Sequence, residues 1–165
     1  MSSFQHRKAV GDAHEACVAK ELAARGWDVS VWGQAILTET VRSALQHTGS
    51  LLRWTPDLVA AQGQRIILID CKSRMTSHTT HRHAVERAAV MAHVQLAAWA
   101  QLPVVYVFDD LGVLTPFDVL LSGSTGPRSA AGSGAAYFLV SVARSLAFDD
   151  ALGTSQRPLP RLRAA

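Results

Sequence analysis

The sequence predicts an α/β fold, a mixed central β-sheet flanked by helices, and three observations carry that reading. Helical stretches rich in Ala, Glu and Lys alternate with short β-branched runs. Two of those runs are separated only by Gln62-Gly63-Gln64, the spacing of a tight hairpin. A third, Val104 to Phe108, follows a long helical segment and is apolar throughout, as a buried strand is.

Taken in order, the first helix is expected from Ala9 to Arg25, with Gly26 placed to end it as a left-handed cap. Trp27 to Trp32 alternates large apolar and polar residues, as a half-buried strand does. Thr38 to Gln46 is weakly helical, and His47-Thr48-Gly49-Ser50 is a loop. Trp54 to Ala60 and Arg65 to Lys72 read as the two hairpin strands. Met75 to Arg82 is a polar, His-rich loop, and His83 to Ala100 repeats its apolar residues at helical spacing, with Pro103 beyond the end. Thr115-Pro116 opens a short helix through Leu121, Ser122 to Gly134 is a mobile Gly/Ser-rich loop, and Tyr137 to Val142 is another strand. The expected organisation is a single domain over residues 1–155 and a disordered tail over 156–165.

A length of 165 residues suits one core, and 48% hydrophobic with 18% charged residues is a globular composition. No stretch approaches the roughly 20 unbroken apolar residues a bilayer demands. The opening Met1-Ser2-Ser3-Phe4-Gln5-His6-Arg7-Lys8 lacks the apolar core of a secretion signal, so a cytoplasmic placement is expected. Cys17 and Cys71 fit no metal-knuckle spacing and read as small core residues in a reducing compartment. The net charge of +3 leans mildly toward a polyanionic partner.

The informative anomaly is a pair of acids where burial is expected. In Arg65-Ile66-Ile67-Leu68-Ile69-Asp70-Cys71-Lys72, four apolar residues run straight into an aspartate. An unpaired buried charge costs several kcal/mol, about as much as burying two such side chains returns, so an ordinary strand avoids one. Asp70 and Lys72 are two apart and leave the same face of a strand, while Asp57, behind Pro56, comes close to Asp70 by hairpin pairing. Two carboxylates and an amine at one spot suit metal-assisted phosphodiester hydrolysis. Hard oxygens hold Mg²⁺ or Mn²⁺, and the amine serves the attacking water.

Pro56-Asp57, then Asp70-Cys71-Lys72 closing an apolar strand, with Glu15 on the preceding helix, resembles the PD-(D/E)XK nuclease superfamily over roughly residues 9–108. The resemblance implies a restriction-endonuclease-like core, ordered helix-strand-strand-strand-helix-strand. It implies that Asp57, Asp70 and the backbone carbonyl of Cys71 bind the metal, that Glu15 completes the metal site, and that Lys72 serves the water. A glutamine on the helix after the motif often orients the lysine or water in this superfamily, and Gln95 is the candidate. The small size and the Gly11 to Glu15 opening are similar to Holliday-junction resolvase-like and mobile-element nucleases. DNA is the implied partner. A homodimer follows if two strands are to be cut by single active centres, with the apolar Val104 to Leu121 stretch as its candidate surface.

Plainer readings stand beside these. Asp12 and Glu15 have the spacing of a capping box, although Glu15 shares a face with Val18, Ala19 and Leu22. Asp57 alone reads equally as a turn residue, and Asp70 with Lys72 as a surface ion pair worth little. Ser73, Arg74, His81 and Arg82 follow the motif, and read either as phosphate contacts or as a solvated loop. The loop histidines lack a Cys or acidic partner at zinc-ligand spacing. Two functional rivals remain: a non-catalytic nucleic-acid-binding module with the same fold, and an enzyme that cuts RNA, since the scissile phosphate is common to both nucleic acids.

Overall fold

The computed structural model describes residues 3–126 and 135–153. Helix α1 (Ser3–Ala24) ends where Gly26 adopts φ +80°, the cap the sequence predicts, but it begins at Ser3 rather than Ala9. Asp12 therefore lies inside the helix, and the capping-box reading of Asp12 and Glu15 is removed. Strand β1 (Asp28–Val31) and a 3₁₀ turn at Gly33–Ile36 lead to α2 (Glu39–Gln46), whose first turn is capped by the Thr38 hydroxyl.

The second strand departs from expectation. Leu51–Trp54 is a 3₁₀ turn opened by the Ser50 hydroxyl, and β2 runs from Leu58 to Gln62 rather than from Trp54 to Ala60. Pro56 has no N–H to give a ladder, so the strand starts after it. The hairpin itself forms as expected, with β3 (Arg65–Lys72) antiparallel to β2 and Gly63 at φ +60° in the turn.

A second departure follows β3. The stretch read as loop and helix start instead makes β4 (Thr76–Ser77) and β5 (Arg82–Glu86), and α3 spans Arg87–Ala100. His83 and Val85 are fully buried while Ala84 and Glu86 are half-exposed, a period of two. Strand β6 (Val104–Phe108) is buried at every residue, as predicted. After it come β7 (Val113–Leu114), α4 (Pro116–Ser122), β8 (Ser124–Thr125), β9 (Tyr137–Ser141) and α5 (Phe148–Leu152). Part of the expected Gly/Ser-rich loop (residues 127–134) and the expected tail (residues 156–165) lie outside the described residues.

The strands form two sheets, ordered β1-β2-β3-β6-β7 and β4-β5-β9-β8. In the first, β3 and β6 pair in parallel and the other neighbours antiparallel, which makes it the expected mixed sheet. One face packs Ile67, Ile69, Val105 and Val107 against Val18 and Leu22 of α1 and Phe148 and Leu152 of α5. The other packs Leu68 and Val104 against Ala97 of α3, and Tyr106 and Phe108 against Val85 and Val140 of the second sheet. Each buried Ile or Leu of β3 contributes about 2 kcal/mol. Ile67, Leu68 and Ile69 together thus offset a cost of several kcal/mol for holding a charge at the strand's end.

The cysteine reading is half corrected, since Cys17 is exposed whereas Cys71 packs half-buried against the α1 face. The Val104 to Leu121 stretch is not one surface either. Its β6 part is interior, and its exposed large apolar residues are Phe117, Leu120 and Leu121 of α4. No helix among the described residues is long and apolar enough to cross a membrane.

Candidate active site

Side chains alternate along β3, so Ile67 and Ile69 face α1, and Asp70 and Lys72 share the face of Leu68, toward α3. Asp70 is only 7% exposed. Its Oδ2 lies 2.5 Å from the Lys72 ammonium and is buried without a well-aligned hydrogen bond. Asp57 sits one position before β2, where its N–H donates to the Ile69 carbonyl at 2.9 Å, the spacing that brings it beside Asp70. The Cys71 N–H donates to Asp57 Oδ2 at 2.7 Å, which fixes the carboxylate across the strand end.

The electrostatics report crowded negative charge. Burial first, and then the charge of Asp70, push the Asp57 carboxyl up to about 8, against the Cys71 hydrogen bond and Lys72, which favour its ionised form. Glu15, half-buried on α1, is raised first by burial, then by Asp12 and then by Asp70. It reaches the field of the pair from the opposite layer of the fold. The Lys72 ammonium is disfavoured by burial, but Asp70, Asp57 and Glu86 together outweigh that and hold its pKa above the ordinary value.

Among the described residues, no three histidine, cysteine or acidic side chains lie close enough together to cage an ion. Magnesium does not need such a cage. It is commonly held by one or two carboxylates, with waters and substrate phosphate filling its other positions. Two crowded carboxylates, one of which keeps its proton because the other is so near, are a hard-oxygen donor pair whose repulsion a cation would relieve. Asp57 and Asp70 therefore fit the expected metal, and Glu15 stands further off.

Gln95 is not brought to this centre. It is exposed and faces a groove of about 350 Å³ lined by Ser50, Leu52, Trp54, Leu96 and Trp99. The face expected to hold Met91, Ala92, Gln95 and Trp99 is largely outward, with Met91 48% and Trp99 84% exposed. The inward position belongs to His93, 1% exposed, whose Nδ1 is 3.7 Å from Asp70 Oδ2. Burial holds its pKa below the ordinary histidine value, against Asp70, which favours its charge. Tyr106, the β6 neighbour of Asp70 in the parallel register, completes this wall, with the Lys72 ammonium 5.5 Å over its ring. Sequence reasoning passed over both, and only a lone histidine on an apolar helix face marked the first.

Ser73 is half-buried and Arg74, His81 and Arg82 are exposed, the first three on the β3–β5 connection and Arg82 opening β5, with Arg74 at φ 58° and His81 at φ 50°. A second groove, of about 370 Å³, has Trp54, Glu86, Arg87 and Met91 in its walls.

No protein-family model matches the chain, and no curated protein matches it by sequence. Solved structures do. The chain is similar to Hjc, a Holliday junction resolvase from Archaeoglobus fulgidus, with a TM-score of 0.54 at 12% identity, covering 86% of this chain and 94% of that one. D212, a nuclease from a fusselovirus, matches with a TM-score of 0.49 at 10% identity, over 92% and 90% of the two chains. The likeness to Hjc is one of fold, and the mixed central sheet flanked by helices expected from the sequence is the fold of this chain.

Proposed function

We propose that the chain is a metal-dependent nuclease that hydrolyses DNA phosphodiester bonds. The observation that carries this reading is the convergence of Asp57, Asp70 and Lys72. The two acids stand on neighbouring strand ends, one tied to the Cys71 N–H and the other paired with the ammonium. Asp57 and Asp70 would hold Mg²⁺ or Mn²⁺, with the Cys71 carbonyl beside them and Glu15 acting on the metal or its water. The ion, when bound, polarises the phosphate and acidifies water. Lys72 orients the attacking water and offsets the charge that grows on the phosphate oxygens. His93 and Tyr106, both buried, wall the α3 side of Asp70. Ser73, Arg74, His81 and Arg82, which follow the motif in sequence, would meet the phosphates that flank the cut.

The fold likeness to a Holliday junction resolvase supports branched DNA as the first substrate to try. The test is cleavage of labelled duplex, single-stranded, flap and four-way-junction DNA with Mg²⁺, Mn²⁺ or EDTA, by wild type and Asp70→Ala. Cutting that needs the metal and is lost in the variant supports the reading, and the preferred substrate names the subclass. Binding without cutting under every metal condition refutes it in favour of a non-catalytic module.

A further inference from the structure

His93 and Tyr106 are 1% and 0% exposed, and the hydrolytic step does not call on them directly. His93 Nε2 lies 2.5 Å from the backbone carbonyl oxygen of Trp54. A carbonyl can only accept, so Nε2 carries the hydrogen of the neutral ring and donates it. Nδ1 is then an acceptor, and the Tyr106 hydroxyl, 3.0 Å away, donates to it. The same Nδ1 stands 3.7 Å from Asp70 Oδ2, the buried oxygen that faces the Lys72 ammonium. In the opposite tautomer Nδ1 would carry a hydrogen beside that oxygen. A small shift would then make a hydrogen bond in competition with a cation.

We propose that His93 is a positioning residue that keeps Asp70 free for a metal ion. The Trp54 carbonyl fixes the ring hydrogen on Nε2, Tyr106 occupies Nδ1, and Asp70 Oδ2 is left with the Lys72 ammonium as its polar neighbour. The same bond tethers Trp54, three residues before Asp57, to α3, so one imidazole governs both acids. Gln95, two residues along the helix, points away and cannot do this. The inference rests on the nuclease reading in that it takes Asp70 as a metal ligand.

The test uses the 165-residue chain without DNA. The ¹⁵N shifts of His93 in the metal-free protein report its tautomer, and calorimetry with Mg²⁺ reports affinity for wild type, His93→Gln, His93→Leu and Tyr106→Phe. The Nε2–H tautomer is expected. His93→Gln, whose amide reaches toward Trp54 without a donor at the Nδ1 position, should bind within about threefold of wild type, whereas His93→Leu should lose tenfold or more, the usual scale for residues that orient metal ligands. An Nδ1–H tautomer, or a His93→Leu variant that binds as wild type does, overturns the proposal. If His93→Leu does not fold, Tyr106→Phe decides. It leaves Nδ1 unoccupied beside Asp70 with the ring hydrogen still on Nε2, so Mg²⁺ affinity should fall, and unchanged affinity refutes the mechanism. Wild type that binds no Mg²⁺ removes the nuclease reading along with this one. Equal binding by wild type and variants removes this one alone.

Discussion

Asp57 holds its proton up to about 8, against an ordinary value of 3.8, because its site is buried and already faces Asp70. The folded chain thus binds that proton more tightly than the unfolded chain does. Below about pH 4 both states are protonated and the group costs nothing. As pH climbs toward 8 the folded state must place a second negative charge beside Asp70, and stability falls. Urea denaturation in EDTA at pH 5 and pH 8 should show this loss, Asp57→Asn should flatten it, and Mg²⁺ should restore stability most at the higher pH. Lys72 gives a second prediction at this scale. Lys72→Ala leaves Asp70 buried without a counter-charge, which should cost about 3 kcal/mol in EDTA, and it should slow cleavage by roughly 10²- to 10⁴-fold. Melting curves and single-turnover rates read the two effects separately. These three residues were legible in the sequence because a charge at the end of an apolar run is costly and so must have a reason. His93 was not, because a histidine among Ala and Val on a helix is ordinary, and only the packed neighbours reveal that it faces Asp70.

Strand and helix boundaries decide which side chains meet, and there the sequence was a partial guide. The hairpin, the Gly26 cap and the Thr115-opened helix were readable from local chemistry. Thr115 and Asp118 indeed exchange hydrogen bonds as a capping box. Strand β5 was not, because its two partners are β4 and the distant β9, and four residues of alternation merge into a helical pattern that starts next to them. The start of β2 was missed for the opposite reason, a purely local one: a 3₁₀ turn takes Trp54, and Pro56 has no N–H to give the ladder. That turn region holds a sensitive contact. Gly33 sits at φ +65°, and a Cβ there would lie 2.3 Å from the Pro56 carbonyl oxygen, next to Asp57. Gly33→Ala is expected to destabilise by roughly 2 kcal/mol or more, from left-handed strain and overpacking together. It should also depress cleavage at temperatures where the fold survives. Activity equal to wild type in a folded Gly33→Ala protein would mean that the 54–57 segment tolerates displacement.

Across the whole molecule, the second sheet stands beside the carboxyl ends of β3 and β6 and carries Arg82 outward on β5. His83, buried under it, stacks on Phe108 at 3.8 Å and links to Thr76 and Ser145, which pins that sheet to the end of the main one. A surface fixed in this way can present phosphate contacts at constant distance from Asp70. Arg82→Ala should weaken binding evenly across DNA sequences and reduce the salt slope of log affinity by about one. Filter binding from low to moderate salt measures both. An unchanged slope would place the DNA on another face. The two-sheet arrangement was the least readable level of all, since every partner that defines the second sheet is either two residues long or far along the chain.

The pairing pattern around β3 also sets an order of assembly. Its contact with β2 closes over a two-residue turn, whereas its parallel contact with β6 spans a crossover through β4, β5 and α3. Short loops close far sooner than long ones. Asp57 and Asp70 are therefore brought together early, while Tyr106 and His93 arrive only when the crossover docks. The acid pair spends the intervening time open to solvent, so a refolding chain can meet a dissolved cation before it has finished building the wall behind it.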